Sequence, residues 1–241
     1  MLQNIKQFYG SRLAALDGDL GHARDFYFDD KTWVIRYLVA DTGSWLTGRL
    51  VLLSPHAFGK WDLYEKALHI KLQKKQIEDS PSIGRHEPVS QQFEENYYRS
   101  YGWPAYWQGG LMWGMSGYPL VAQSLPQDIA ARRELEPRTD RHLQSAKTVA
   151  GYALEASDGA VGHLRGFMVD DRSWAIRELV VDAGHWYSGK EILISTAKVA
   201  RISTEESKVF VNLTMAEIQA TSGNVLAEAG SGGRRTGNAS G

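Results

Sequence analysis

A single offset, with no gap, lays one part of this chain over another. Asp17-Gly-Asp-Leu-Gly-His-Ala-Arg-Asp-Phe-Tyr-Phe-Asp-Asp-Lys-Thr-Trp33 stands over Asp158-Gly-Ala-Val-Gly-His-Leu-Arg-Gly-Phe-Met-Val-Asp-Asp-Arg-Ser-Trp174. The match runs on through Ile35-Arg36 over Ile176-Arg177, Leu38-Val39 over Leu179-Val180, Asp41 over Asp182, Gly43 over Gly184, Trp45 over Trp186 and Gly48 over Gly189. It spans about residues 4–81 against 145–222, with roughly half the positions identical in the centre and about a third overall. Such self-similarity is the mark of an internal duplication. The repeated unit, ~75–80 residues long, can fold alone but with little core to spare.

The unit reads as all-β. Asp17-Gly18 and Asp158-Gly159 are turn dipeptides between short apolar stretches, as in a hairpin. Asp29-Asp30 and Asp170-Asp171 mark a second turn, before the β-branched and aromatic run 32–39. Gly48 and Gly189 introduce further strands at Leu50–Leu53 and Ile192–Ile194. An alternating strand closes each copy, at 67–72 and 208–213, followed by single helical turns at 74–79 and 215–220. Short strands at this spacing predict a small closed barrel or sandwich.

These residues carry a resemblance. The run Asp-Gly-x-x-Gly-His-x-x-Asp-Phe, then Asp-Asp-x-x-Trp-x-x-Arg-x-Leu-Val, then Gly-x-Trp, resembles the PRC-barrel family. That β-barrel occurs in the H subunit of the bacterial photosynthetic reaction centre and in the ribosome maturation factor RimM. Both copies match; the second departs at Gly166, where the first has Asp25. The layout is similar to stand-alone bacterial proteins with two such barrels. The resemblance implies two tandem barrels, 1–81 and 145–222, related by an approximate two-fold. Between them lies an aromatic and glycine-rich connector, 82–144, and after them a tail, 223–241, too small and polar to bury anything.

Composition removes more chemistry than it suggests. The chain has 241 residues and no cysteine, which excludes disulfides, thiolate metal sites and cysteine nucleophiles. Twenty-seven basic against twenty-eight acidic residues, a net charge of -1, supply no global field that would draw nucleic acid. Neither a signal peptide nor a run of ~20 apolar residues is visible, so a cytoplasmic protein is expected, with peripheral association at the inner membrane left open. No nucleophile elbow, His-Glu-x-x-His helix, Walker sequence or dinucleotide fingerprint occurs, so neither an enzyme nor a cofactor is expected.

The polar residues that recur are Gly21-His22 and Gly162-His163, with Asp25, Asp29, Asp30, Asp170 and Asp171 as acidic neighbours. Histidine and carboxylates can hold a metal ion, but aspartate at a turn serves its own backbone, and Asp25 has no counterpart. No metal site is assigned. Arg36 and Arg177 sit in apolar strands with Asp41 and Asp182 just beyond. An ion pair or snorkelling stem that fixes register competes there with an anion-binding arginine, and no phosphate loop supports the latter. Gly21, His22, Trp33, Arg36, Asp41 and Trp45, with Gly162, His163, Trp174, Arg177, Asp182 and Trp186, are the repeat-equivalent structural residues.

The connector is unusual. Residues 93–118 hold nine aromatics in 26 positions, where the overall 11% predicts about three. Tyr97, Tyr101, Trp103, Tyr106, Trp107, Trp113 and Tyr118 form either a clasp packed on the barrels or an exposed surface for a protein partner. Base stacking is disfavoured, because only Arg85 and Arg99 lie near. The expected function is a non-enzymatic binding or scaffold protein that presents barrel surfaces to an unidentified partner. A peripheral role in photosynthetic-type membrane electron transport is the alternative, and ribosome or RNA maturation a weaker one.

Overall fold

A computed structural model of the protein describes residues 1–79, 99, 101, 102, 142–184 and 191–220. The strands of the first repeat are β1 (Leu2–Asn4), β2 (Arg12–Ala15), β3 (Gly18–Asp29), β4 (Val34–Asp41), β5 (Leu50–Leu53), β6 (Phe58–Asp62) and β7 (Ala67–Ile70), followed by helix α1 (Lys74–Glu78). The second has β8 (Leu143–Ser145), α2 (Ala146–Val149), β9 (Ala153–Ala156), β10 (Gly159–Asp170), β11 (Ile176–Asp182), β12 (Glu191–Ser195), β13 (Val199–Ser203) and β14 (Lys208–Val211). A last helix, α3, begins at 215 and runs through 220.

The result is mostly β, in two seven-stranded sheets. One runs β5-β4-β3-β2-β7-β6, with β8 paired to β3. The other runs β12-β11-β10-β9-β14-β13, with β1 paired to β10. In each, one parallel contact, β2 with β7 and β9 with β14, joins a hairpin to the closing strands. The order of strands is therefore the same in both sheets.

Local sequence explains the elements. In β10, Val161, Leu164, Phe167 and Val169 are buried while His163 and Arg165 are exposed. Bulges at Ala160/Gly162 and Leu164/Gly166 shift the phase of that alternation. By contrast, Leu50–Leu53 is buried throughout, as a continuous apolar run covered on both faces must be, and 34–40 is buried throughout with Arg36 among its apolar residues. The first hairpin turns on Leu16-Asp17, with Ala15 opposite Gly18, so the turn falls one residue earlier than Asp17-Gly18 predicts.

The second turn uses aspartate as its sequence predicts. Asp29 Oδ1 accepts the amides of Lys31 and Thr32 at 2.9 and 2.8 Å. Asp170 accepts the Arg172 amide and the Ser173 hydroxyl at 3.2 and 2.8 Å. Each turn ends on a tryptophan in left-handed backbone, Trp33 at φ 56° and Trp174 at φ 55°. That conformation is strained for a bulky residue and persists only where packing holds it.

The chain forms two compact units. One consists of Tyr9–Asp25 and, among the described residues, of Arg36–Leu143; Leu13, Leu20, Tyr37, Leu38, Leu52, Leu68 and Ile77 are its larger buried side chains. The other joins Met1–Phe8 and Phe26–Ile35 to the described residues from Gln144 onward. Its core is aromatic. Trp174 lies 5.2 Å from Phe8 and stacks on Phe26 at 6.1 Å, and Phe28 stacks on Trp33 at 5.4 Å and tilts against Phe167 at 5.2 Å. Each such ring removes about 150–250 Å² from water, on the order of 4–6 kcal/mol before entropy is counted.

Candidate interaction surface

The repeated Gly-His pair divides its work. An added Cβ at Gly21 would overlap the carbonyl oxygen of Asp41, and one at Gly162 that of Asp182, so neighbouring strands touch at these points. Gly21 and Gly162 also hold φ of +130° and +155°, which disfavours a side chain independently. The following residues, His22 and His163, are exposed. His163 stands opposite Asp182 in the ladder.

Asp41 and Asp182 pair across the sheet. Arg24 Nη1 reaches Asp41 Oδ2 at 3.4 Å, and Arg165 Nη2 reaches Asp182 Oδ2 at 2.6 Å. The other carboxylate oxygen accepts the amide of Gly43 or Gly184, each at 3.1 Å. Both ion pairs are exposed enough to add little net stability, so their role is to shape the turn after β4 and β11. The Arg165 hydrogen bond, then the Gly184 amide, hold the Asp182 carboxyl below the usual carboxylate range.

These partners differ from the neighbours in sequence. Arg36 and Asp41 are five apart in one strand, an odd separation that places them on opposite faces. Arg36 is 8% exposed, whereas Arg177 is exposed. Arg177 is the extra residue where Met168 pairs with Glu178 and Val169 with Ile176. A bulge re-aims its side chain.

Trp45 donates its indole N–H to the Leu20 carbonyl at 2.6 Å, and the Lys74 ammonium lies 4.9 Å from the ring centroid. Trp186 lies outside the described residues. Two turn aspartates hold the terminal helices: Asp17 accepts the Lys74 amide at 2.9 Å and Asp158 that of Met215 at 2.8 Å. Arg24 and Arg165 are thus working members of the repeated pattern that motif reading passed over, while Asp17 and Asp158, read from the sequence as turn residues, also dock helices.

What remains for recognition is where the two copies differ. The β6–β7 turn presents Leu63, 56% exposed, and Tyr64, 101% exposed. Asp62 Oδ1 fixes this turn by accepting the amides of Tyr64 and Glu65 at 2.9 and 3.1 Å, and Lys66 ends it at φ 47°. The Glu65 carboxylate meets Arg12 at 2.6 Å, and Arg12 also holds Asp19 at 2.9 Å. In the matching turn Ser203 accepts the Glu206 amide at 3.2 Å and Ser207 has φ 51°, but the tip is Thr204-Glu205. The same backbone device carries an apolar tip in one copy and a polar tip in the other. The difference is written in the gap-free alignment of the copies, where Leu63-Tyr64 stands over Thr204-Glu205.

Of the aromatic connector candidates, Tyr101 is half-buried. Tyr97, Trp103, Tyr106, Trp107, Trp113 and Tyr118 lie outside the described residues. Among the described residues, no group of three or more His, Asp or Glu is placed to hold a metal ion. Nor, among them, is any helix long and apolar enough to cross a membrane. No family model matches the chain, and no curated protein matches it either.

Proposed function

We propose that the protein is a non-catalytic binding or scaffold module of duplicated PRC-type barrels, and that it presents surface loops of its first repeat to a protein partner. The observation that carries this reading is the contrast between the two β6–β7 turns. Among the residues shared by the copies, Gly21, Gly162, Asp17, Asp158, Asp41 and Asp182 serve strand contact, turn closure or helix docking. The exposed apolar pair Leu63-Tyr64 has no such work, and it sits on a turn held in shape by Asp62. A tyrosine offered on a rigid support is a common anchor in protein recognition, since little entropy is lost when it docks. The aromatic connector, Tyr97 to Tyr118, is the second candidate for contact with that partner.

Co-purification tests the reading. Full-length protein should retain a partner at constant stoichiometry, and Leu63→Ser/Tyr64→Ser should lose it. Thr204→Ala/Glu205→Ala should keep it, and Trp103→Ala/Trp107→Ala reports the connector's share. Because Tyr64 is exposed, the tip variant should unfold within about 0.5 kcal/mol of wild type. Undiminished binding by the tip and connector variants together would reject the reading.

A further inference from the structure

The twelve residues of β10 are longer than either strand on one of its sides. Along that side, β9 pairs with the first part, Gly159 to His163, and β1 pairs with the last, Met168 to Asp170. Its other side is covered by β11. The N-terminal segment therefore fills a length of strand edge that β9 leaves open.

Met1–Phe8 fits this slot as a built arm. Gln3 and Ile5 are buried in it, and Phe8 ends it against Phe26 and Trp174. Asn4 Oδ1 accepts the Lys6 amide at 3.0 Å and so starts the tight turn Ile5–Gln7. Gly166 lies under the arm: a Cβ there would sit 3.6 Å from Asn4 Oδ1 and Lys6 Cε, and 3.8 Å from Ile5 Cγ2. This is the position where the second repeat departs from the first, and any longer side chain would compete with the arm for space. The arm leaves through Gly10, whose φ of +71° and open surroundings suit a hinge. In the other sheet, β8 pairs with β3 as β1 pairs with β10.

We propose that Met1–Phe8 is an exchangeable donor strand, and that the slot along Met168 to Asp170 also takes the same segment from a second copy of this chain. Exchange remakes the same contacts in trans, so only hinge geometry and association entropy oppose it. Domain swapping is a low-cost route to dimers for this reason. It is favoured by high concentration and by conditions that loosen the arm.

The absence of cysteine makes a clean test available. Asn4 and Met168 are register partners. A full-length Asn4→Cys chain is mixed at high concentration with a full-length Met168→Cys chain, under mild oxidation. A disulfide-linked heterodimer should form several-fold above a Leu16→Cys and Met168→Cys mixture, which reports random collision. Adding Gly166→Leu to the acceptor chain should return the yield to that level. Excess Met1–Phe8 peptide should do the same without any change in β10. The double variant Asn4→Cys/Met168→Cys should close within one chain, which shows that both substitutions fold in register. Closure of the double variant with no heterodimer above collision overturns the proposal, as does failure of the double variant to close. A heterodimer that neither Gly166→Leu nor the peptide lowers also overturns it.

Discussion

Val34 and Ala175 face each other across a lone antiparallel bridge. Two hydrogen bonds make it, from the Ile35 amide to the Trp174 carbonyl at 2.9 Å and from the Ile176 amide to the Trp33 carbonyl at 2.7 Å. Both acceptors are the left-handed tryptophans that end the aspartate turns. Their backbone strain thus places two carbonyls where two amides need them.

Trp174 is the better buried of the pair and touches both Phe8 and Phe26. Trp174→Ala should therefore cost about 3–5 kcal/mol in urea unfolding, the range for an aromatic truncated in a core. Trp33→Ala, at a half-buried ring against Phe28, should cost clearly less. Equal losses would show that backbone strain, not ring burial, sets the effect.

Gly21→Ala and Gly162→Ala push a methyl into the Asp41 and Asp182 carbonyls. Each should destabilise by about 2–4 kcal/mol, the sum of strain and overpacking. Gly184→Ala, with positive φ but open surroundings, should cost about 1 kcal/mol. Thermal or denaturant melts of the three variants give the ranking directly.

The pairing of Asp182 with Arg165 predicts a pH dependence with a definite sign. Its carboxyl titrates below the ordinary aspartate value of about 3.9 in the folded state. Its contribution is therefore complete above the unfolded value and is lost as pH falls through the lowered folded one. Asp182→Asn should be slightly less stable than wild type at neutral pH, and the gap should close as pH falls through the lowered folded value. A gap that stays constant with pH would mean that the carboxylate charge is not involved.

Asp158→Ala removes the acceptor for the Met215 amide. Helix α3 keeps its own capping pair, in which Thr214 and Glu217 exchange backbone and side-chain hydrogen bonds at 2.8 and 3.2 Å. The loss should then be about 0.5–1.5 kcal/mol. It should appear as faster amide exchange at 215–218, with β10 unaffected. Asp17→Ala should act likewise on the start of α1.

Much of this was legible locally. Alternation and turn aspartates located the strands around Asp29 and Asp170, because those signals are set by residues within two or three positions. The partners of Asp41 and Asp182 were not legible, since nearness in sequence says nothing about the face of a strand; Arg24 and Arg165 lie on the neighbouring strand, whereas the sequence drew attention to Arg36 and Arg177. Pairing of Leu2 with Asp170 was not legible at all. A three-residue strand has no periodicity to read, and its partner lies far along the chain. The Leu63-Tyr64 tip was not legible for a different reason: an apolar pair in a short stretch between strands has the same sequence signature whether it is buried or exposed.

The aromatic core that joins Phe8, Phe26, Phe28 and Trp33 to Phe167 and Trp174 also dictates a timetable. During synthesis the first four of these residues emerge long before the other two. At about 5–20 residues per second the wait is on the order of ten seconds or more. Over that interval the early rings have no native partners from the second repeat. A nascent chain of this protein therefore completes this core only late in its translation, with Phe8–Phe26 and Phe28–Trp33 as the ring contacts open to it until then.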